Sequence, residues 1–299
     1  MRSILDTHSL IYCGQETRVI PKILGIRNLW KKSILEWDRL ISDGITEIIL
    51  DSAIQAFIYE ILVRHSQYAN ILCDKDPFVL KYAKYISTLF TNSKFLFLIR
   101  DGRAVIHSIM TRNVTITGFS LTDYRKNLKL WNKGIDIMVK DCRMIGTSRC
   151  LSVYYEQLVL HPKLTIENIL KFLDIPWIDN VLHHDKLIDK RILLSITEHS
   201  SDQVIKPINL EPLTQWIGHI PDDIKREIDT LAPMLRQLGY DTQSDMPFYG
   251  IADHFVINNT IDIKRNASFW NEKMSRYARR LSNITFEETK LYEINKDKE

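Results

Sequence analysis

Lys94 to Asn113, KFLFLIRDGRAVIHSIMTRN, constrains the fold more than any other stretch of this chain. From Lys94 to Ile99 it is an apolar run too short for a helix, the pattern of a parallel-sheet strand covered on both faces. Arg100, Asp101 and Gly102 break that pattern, and from Arg103 the spacing turns helical, with Val105, Ile106 and Ile109 on one side. A strand, turn and helix in this order aim free backbone N–H groups and a positive helix end at the carboxyl edge of a sheet, where anions bind. Arg100 stands at the strand's exit, while Ser108 and Arg112 are four apart on one helix face. The three can converge on a doubly charged group such as a phosphate. The plain alternative is a solvated basic helix behind a surface turn.

A chain of 299 residues with 45% hydrophobic and 26% charged content is globular material for one large domain or two small ones. Its formal net charge of +3 is too small to imply nucleic-acid binding, although local Arg and Lys clusters can serve an acidic ligand. There is no run of about 18 apolar residues, and Met1 to Gly14 lacks the apolar core of a signal peptide. Cys13, Cys73, Cys142 and Cys150 permit three full pairings, and the spacing does not choose among them. Sequons at Asn113, Asn258, Asn266 and Asn283 agree with a secretory location.

Along the chain, Met1 to His8 has the apolar positions of a short helix, and Cys13 to Lys22 is a turn, CGQET, leading into RVIPK. Thr46 caps a helix to about Arg64, with Ile49, Ala53, Ala56, Phe57, Glu60 and Ile61 on the side expected to meet the sheet. Asn70 to Cys73 is a short strand, and Pro77 opens a helix over Phe78 to Phe90. Leu121 to Ile145 is a long covering helix, Cys150 to Tyr155 a strand, and Glu156 the start of a polar turn before a helix from Leu164 to Leu173. Ser200 to Asn209 is a polar loop of the kind that closes over a ligand. Pro221 to Leu238 is one helix stopped by Gly239. Residues 1–245 thus form the domain, and 246–299 a variable polar tail with a helix from Ala267 to Leu281. His161, His183 and His184 lack a Cys or carboxylate partner at ligand spacing and are read as structural.

RDGRAVIHSIMTR with NVTITGF behind it, YYEQLVLHP, SSDQVIKPIN, and the earlier CGQETRVIP and CDKDPF together resemble the tyrosylprotein sulfotransferases. They do so in order and with nearly constant spacing from about Met1 to Tyr240. The resemblance implies an α/β fold, a mostly parallel sheet flanked by helices, of the nucleotide-dependent, P-loop-like sulfotransferase type. It implies transfer of a sulfuryl group from 3′-phosphoadenosine 5′-phosphosulfate (PAPS) to tyrosine hydroxyls in acidic segments of secretory proteins. It further implies that no metal is required, a location in the Golgi lumen, homodimer formation as one option, and the disulfides Cys13–Cys73 and Cys142–Cys150.

By the same resemblance Glu16 is the general base, Lys75 stabilises charge growing on the bridging and transferred oxygens, and Ser200 contacts the sulfuryl region. Arg100, Ser108 and Arg112 hold the 3′-phosphate and Tyr155 lines the adenosine site. Ser200, Ser201, Asp202, Gln203, Val204, Ile205, Lys206, Pro207, Ile208 and Asn209 cover the nucleotide, with Lys206 available to a phosphate. Arg18, Lys22 and Arg39 bind acidic residues beside the target tyrosine. Read alone, Glu16 is a solvated turn residue, Lys75 a rim lysine paired with Asp74 or Asp76, and Tyr155 a packing residue.

The chain also departs from the family. Lys22 replaces an arginine, which loses the bidentate fork, and Gln215 replaces a nucleotide-binding lysine before Trp216. About two residues are absent between Leu187 and Ser200. In the family an RSGTT loop wraps the 5′-phosphosulfate just before the first helix, and an N-terminal membrane anchor lies further upstream; this chain starts after both. The expectation is an N-terminally incomplete sulfotransferase domain. Its rival is a non-catalytic relative or partner subunit that keeps the acidic-peptide surface.

Overall fold

Helices intervene between successive strands, so the strands that pair do so in parallel. The computed structural model describes residues 1–65, 69–194 and 201–280. A buried helical turn, α1 (Arg2–Leu5), precedes β1 (Ile11–Tyr12), α2 (Val19–Lys32), α3 (Ile34–Ser42) and α4 (Glu47–His65). Next come β2 (Ile71–Leu72), a 3₁₀ turn at Val79–Tyr82, α5 (Ala83–Leu89), β3 (Phe95–Ile99) and α6 (Gly102–Thr111). They are followed by α7 (Tyr124–Ile145), β4 (Cys150–Tyr154), α8 (Tyr155–Leu160) and α9 (Pro162–Leu173). Beyond residue 200 lie short helices α10 (Ser201–Val204), α11 (Glu211–Thr214), α12 (Asp222–Arg226), α13 (Ile228–Leu231) and α14 (Met234–Gln237), then α15 (His254–Arg265). Residues 267–280 are helical again.

The strands form two parallel pairs. In one, Ile11 faces Ile71; in the other, Phe95 through Ile99 run in register with Cys150 through Tyr154. Leu96 and Leu151 of the second pair share an apolar cluster with Ile11 and Ile71 of the first, which joins the pairs. The organising strand is covered unevenly. Phe95, Phe97 and Ile99 are buried in the main core under α6 and α7, whereas Leu98 on the other face is 37% exposed.

Several local readings need correction. The buried stripe of α4 is Leu50, Ile54 and Ile58, while Ile49 and Phe57 face out; a helix apolar all round gives no phase to read. The helix expected over Phe78 to Phe90 is split into the 3₁₀ turn and α5. The run from Pro221 to Leu238 is three short helices, with Pro233 unable to donate within a continuous one. Glu156 is not in a polar turn: it sits in α8, only 3% exposed. Residues 246–280 are not a loose tail either, since Val256, Ile263, Trp270 and Tyr277 are all buried.

The turn after β3 is held by a buried ionic network. Asp101, with no exposed surface, caps α6 through the Arg103 amide at 2.9 Å and pairs with the Arg103 guanidinium at 2.8 Å. Tyr249 donates to Asp101 Oδ2 at 2.9 Å, and Arg103 reaches the Asp241 carbonyl at 2.7 Å while lying over the Trp216 ring. The Asp101 amide donates to Glu156 at 2.9 Å, and the Tyr240 hydroxyl to the other Glu156 oxygen at 3.0 Å. Gly102 completes the turn because a Cβ there would meet the Trp131 ring at 2.7 Å.

Candidate active site

The ends of β1 and β2 are tied by a disulfide, Cys13–Cys73, and a second disulfide joins Cys142 to Cys150. Beyond the first cystine the two chains diverge by only a few residues before their side chains meet. Lys75 Nζ lies 2.8 Å from Glu16 Oε2, a contact between residues 59 apart in sequence. Arg18 donates to the other Glu16 oxygen at 2.9 Å and to the Thr115 carbonyl at 3.2 Å, which links this cluster to the segment after α6. Burial would raise the Glu16 carboxyl, but the hydrogen bonds and charges of Lys75 and Arg18 outweigh it and hold Glu16 below its ordinary value.

Two further carboxylates border the pair. Asp74 is pushed up to about 6 by burial and by the neighbouring Asp76. Asp76 caps the next turn through the Phe78 amide at 2.9 Å, and its own carboxyl is also raised, chiefly by burial. Lys75 is thus set among three carboxylates, Glu16, Asp74 and Asp76, at the strand ends. It is the group available to meet negative charge there.

A second cluster lies at the carboxyl ends of β3 and β4. The Arg100 guanidinium stacks 4.6 Å over the Tyr155 ring and donates to the Pro212 carbonyl at 2.9 Å. Arg112 grips both oxygens of Asp202, at 2.5 and 2.9 Å, so a carboxylate occupies the fork that a phosphate would take. Burial raises the Tyr155 phenol, opposed by the charges of Arg100 and Arg112. Ser108 is one turn before Arg112 on the same helix. His107, the residue before Ser108, stacks on His219 with centroids 4.8 Å apart, a neighbour no local pattern announces.

Other predicted site residues fall elsewhere. Ser200 lies outside the described residues. Ser201 to Val204 form α10; Ile205 and Ile208 point into apolar clusters and anchor the segment rather than line a ligand site. Lys206 is paired with Glu211 at 3.1 Å, so it is not presented to a phosphate in this state. Gln203 donates to Gln215 at 3.2 Å, Asn209 donates to the Pro207 carbonyl at 2.8 Å, and Pro207 closes that turn. Lys22 is exposed on α2 one turn beyond Arg18. Arg39 is on α3, ion-paired with Glu36 of the same helix, and the structure does not bring it into the Glu16 cluster.

A basic, anion-shaped site at the ends of parallel strands under flanking helices is the arrangement of a nucleotide-dependent group-transfer enzyme. The family model described as "Sulfotransferase family" matches residues 1–179. The fold agrees: the sulfotransferase domain from the curacin biosynthetic pathway superimposes with a TM-score of 0.55 at 19% identity, over 79% of this chain and 92% of that one. Among relatives, protein-tyrosine sulfotransferase A of Caenorhabditis elegans is 52% identical, over 91% of this chain and 72% of its own length. Protein-tyrosine sulfotransferase 2 of Gallus gallus is 53% identical over 87% and 71%, and protein-tyrosine sulfotransferase 1 of Homo sapiens 49% identical over the same shares. The chain belongs to the protein-tyrosine sulfotransferases.

Proposed function

We propose that this chain transfers the sulfuryl group of PAPS to tyrosine hydroxyls within acidic segments of protein substrates, with Glu16 and Lys75 as the reacting pair. The observation that carries the reading is their 2.8 Å contact, assembled from the ends of two separate strands beside a cystine. The donor's charge suits the second cluster: Arg100, flat on Tyr155, and Arg112, already chelating a carboxylate, are the residues that would hold the 3′-phosphate. PAPS supplies the sulfuryl group when bound. A tyrosine hydroxyl, with a pKa of about 10, needs a base as its oxygen attacks sulfur. Glu16 accepts that proton while the bond from sulfur to the bridging oxygen breaks. Lys75, drawn from Glu16, balances the charge left on the departing oxygens. Arg18, bonded to Glu16, and Lys22, exposed one turn further along the chain, suit acidic residues flanking the tyrosine.

The test is transfer of labelled sulfate from PAPS to an acidic tyrosine peptide. Incorporation at tyrosine is expected; peptide binding without any transfer would instead favour the non-catalytic relative. The two disulfides support an oxidising lumen, such as the Golgi, as the place of work. Among the described residues no helix is long and apolar enough to cross a membrane.

A second copy of the chain is the proposed cover for the apolar face of α2, α3 and α4. No residue of α3 is buried, and Leu29, Ile34, Leu35 and Ile48 are each more than 60% exposed. Glu36 and Arg39 neutralise each other on α3, so a two-fold contact of this face with itself brings no like charges together. Sedimentation should give a dimer for the native chain and a monomer for Leu35→Glu; a native monomer would refute the contact.

A further inference from the structure

The segment 201–210 carries Asp202 to Arg112, yet its apolar side chains, like those of residues 187–194, gather away from the sheet. Ile188, Ile192, Leu194 and Ile205 form a separate small cluster whose outer wall is Tyr277 of the last helix. Tyr277 is 8% exposed there, and its hydroxyl faces Asp189 and the Leu194 backbone. One turn earlier Lys273 donates to the Ile205 carbonyl at 3.4 Å while lying over the Trp270 ring, and one turn later Arg280 pairs with Asp189 at 3.0 Å. α15 adds two bonds to the same segment: the Leu210 amide donates to Thr260 Oγ1 at 3.0 Å, and Asn259 donates to the Ile208 carbonyl at 3.0 Å. The backbone from 201 to 210 is thus gripped at three consecutive points from outside. None of these contacts touches Glu16, Lys75 or the core strands.

We propose that residues 254–280 act as a clamp that fixes this segment against α6, and that Lys273 and Tyr277 are positioning residues of the nucleotide site. The inference rests on the reading of Arg112 and its surroundings as that site. With the clamp in place Asp202 is delivered to Arg112 in a bidentate pair, and the same register sets what replaces Asp202 when a phosphate enters the fork. Without it, the segment keeps Ile208 in its apolar cluster and the Asp202 and Lys206 ion pairs, but loses the bonds that hold its Ile205, Ile208 and Leu210 backbone from outside.

The test uses the full chain and the double variant Lys273→Ala/Tyr277→Ala, with Lys273→Arg/Tyr277→Phe as the conservative control. Amide hydrogen exchange is read at Ile205 and Leu210, and at Phe97 in β3. Loss of the clamp is expected to speed exchange at Ile205 and Leu210 by about tenfold or more and leave Phe97 unchanged. Calorimetry with adenosine 3′,5′-bisphosphate should show affinity weakened by about five- to twentyfold, with the KM for an acidic peptide unchanged and the conservative pair restoring both. Unaltered exchange at Ile205 and Leu210, or equal acceleration at Phe97, overturns the clamp. If the native chain gives no heat with the bisphosphate, the positioning role falls with the nucleotide reading, while the exchange data still decide the clamp.

Discussion

Asp101→Ala is expected to destabilise the protein by about 3–5 kcal/mol, measured as a drop in urea midpoint at constant slope. The substitution leaves Arg103, only 4% exposed, with its guanidinium in the interior and no carboxylate to balance it. It also removes the cap of α6 and strands the Tyr249 hydroxyl. Packing does not compensate, because Trp131 already fills the space against Gly102. Adding Arg103→Met should recover much of the loss, since the unpaired charge rather than the missing contact dominates the cost. A loss below about 1 kcal/mol for the single variant would show that water reaches Arg103 and that the network is not closed. Because Arg100 leaves the strand one residue before Asp101, the folded fraction of the variant should bind adenosine 3′,5′-bisphosphate more weakly as well.

Glu16→Gln is the second large effect: transfer should fall by about 10²–10⁴-fold while the KM for the peptide stays within twofold. Glutamine keeps the shape and a hydrogen-bond acceptor but has no basicity toward a phenol. The pH profile gives an independent check. With Lys75 and Arg18 beside it, Glu16 titrates below its ordinary value of 4.5, so the acid limb of kcat/KM lies below that pH and the rate is held as pH falls toward it. Lys75→Ala removes the strongest force opposing burial, and the limb should move upward. Because Lys75 also lowers Asp74, the native chain decides the assignment: an acid limb above 4.5 would mean that another group, such as Asp74, reports the titration. That carboxyl is already near 6, so the two cases separate clearly.

What could be read in the chain before folding follows from how local each signal is. The strand, turn and helix over 94–113 is carried by contiguous residues, and it appears where the pattern puts it. The pairing of Glu16 with Lys75 has no local signature at all; only the motifs around them, through resemblance, named both. Asp101, Arg103 and Glu156 are polar residues near turns, and that context reads as solvent. Their burial depends on Tyr240, Tyr249 and Trp216 arriving from more than sixty positions away along the chain. The helix expected from Ala267 is present over residues 267–280, but α15 escapes the sequence reading, although Val256, Ile263, Trp270 and Tyr277 recur every seventh residue, a helical stripe masked by the polar composition around it. Exposed α3, by contrast, lays only Trp37 and Leu40 partly against the core of its own chain and leaves Ile34 and Leu35 outside.

The cystine at the ends of β1 and β2 also bears on when the enzyme exists as an enzyme. Glu16 and Lys75, the proposed reacting pair, follow two strands whose pairing spans only two residues each, and the Cys13–Cys73 bond is the covalent link between them. On that reading, oxidation is a licence for chemistry as well as a staple for the fold. A copy held in a reducing compartment carries both residues of the pair and lacks the bond that brings them together.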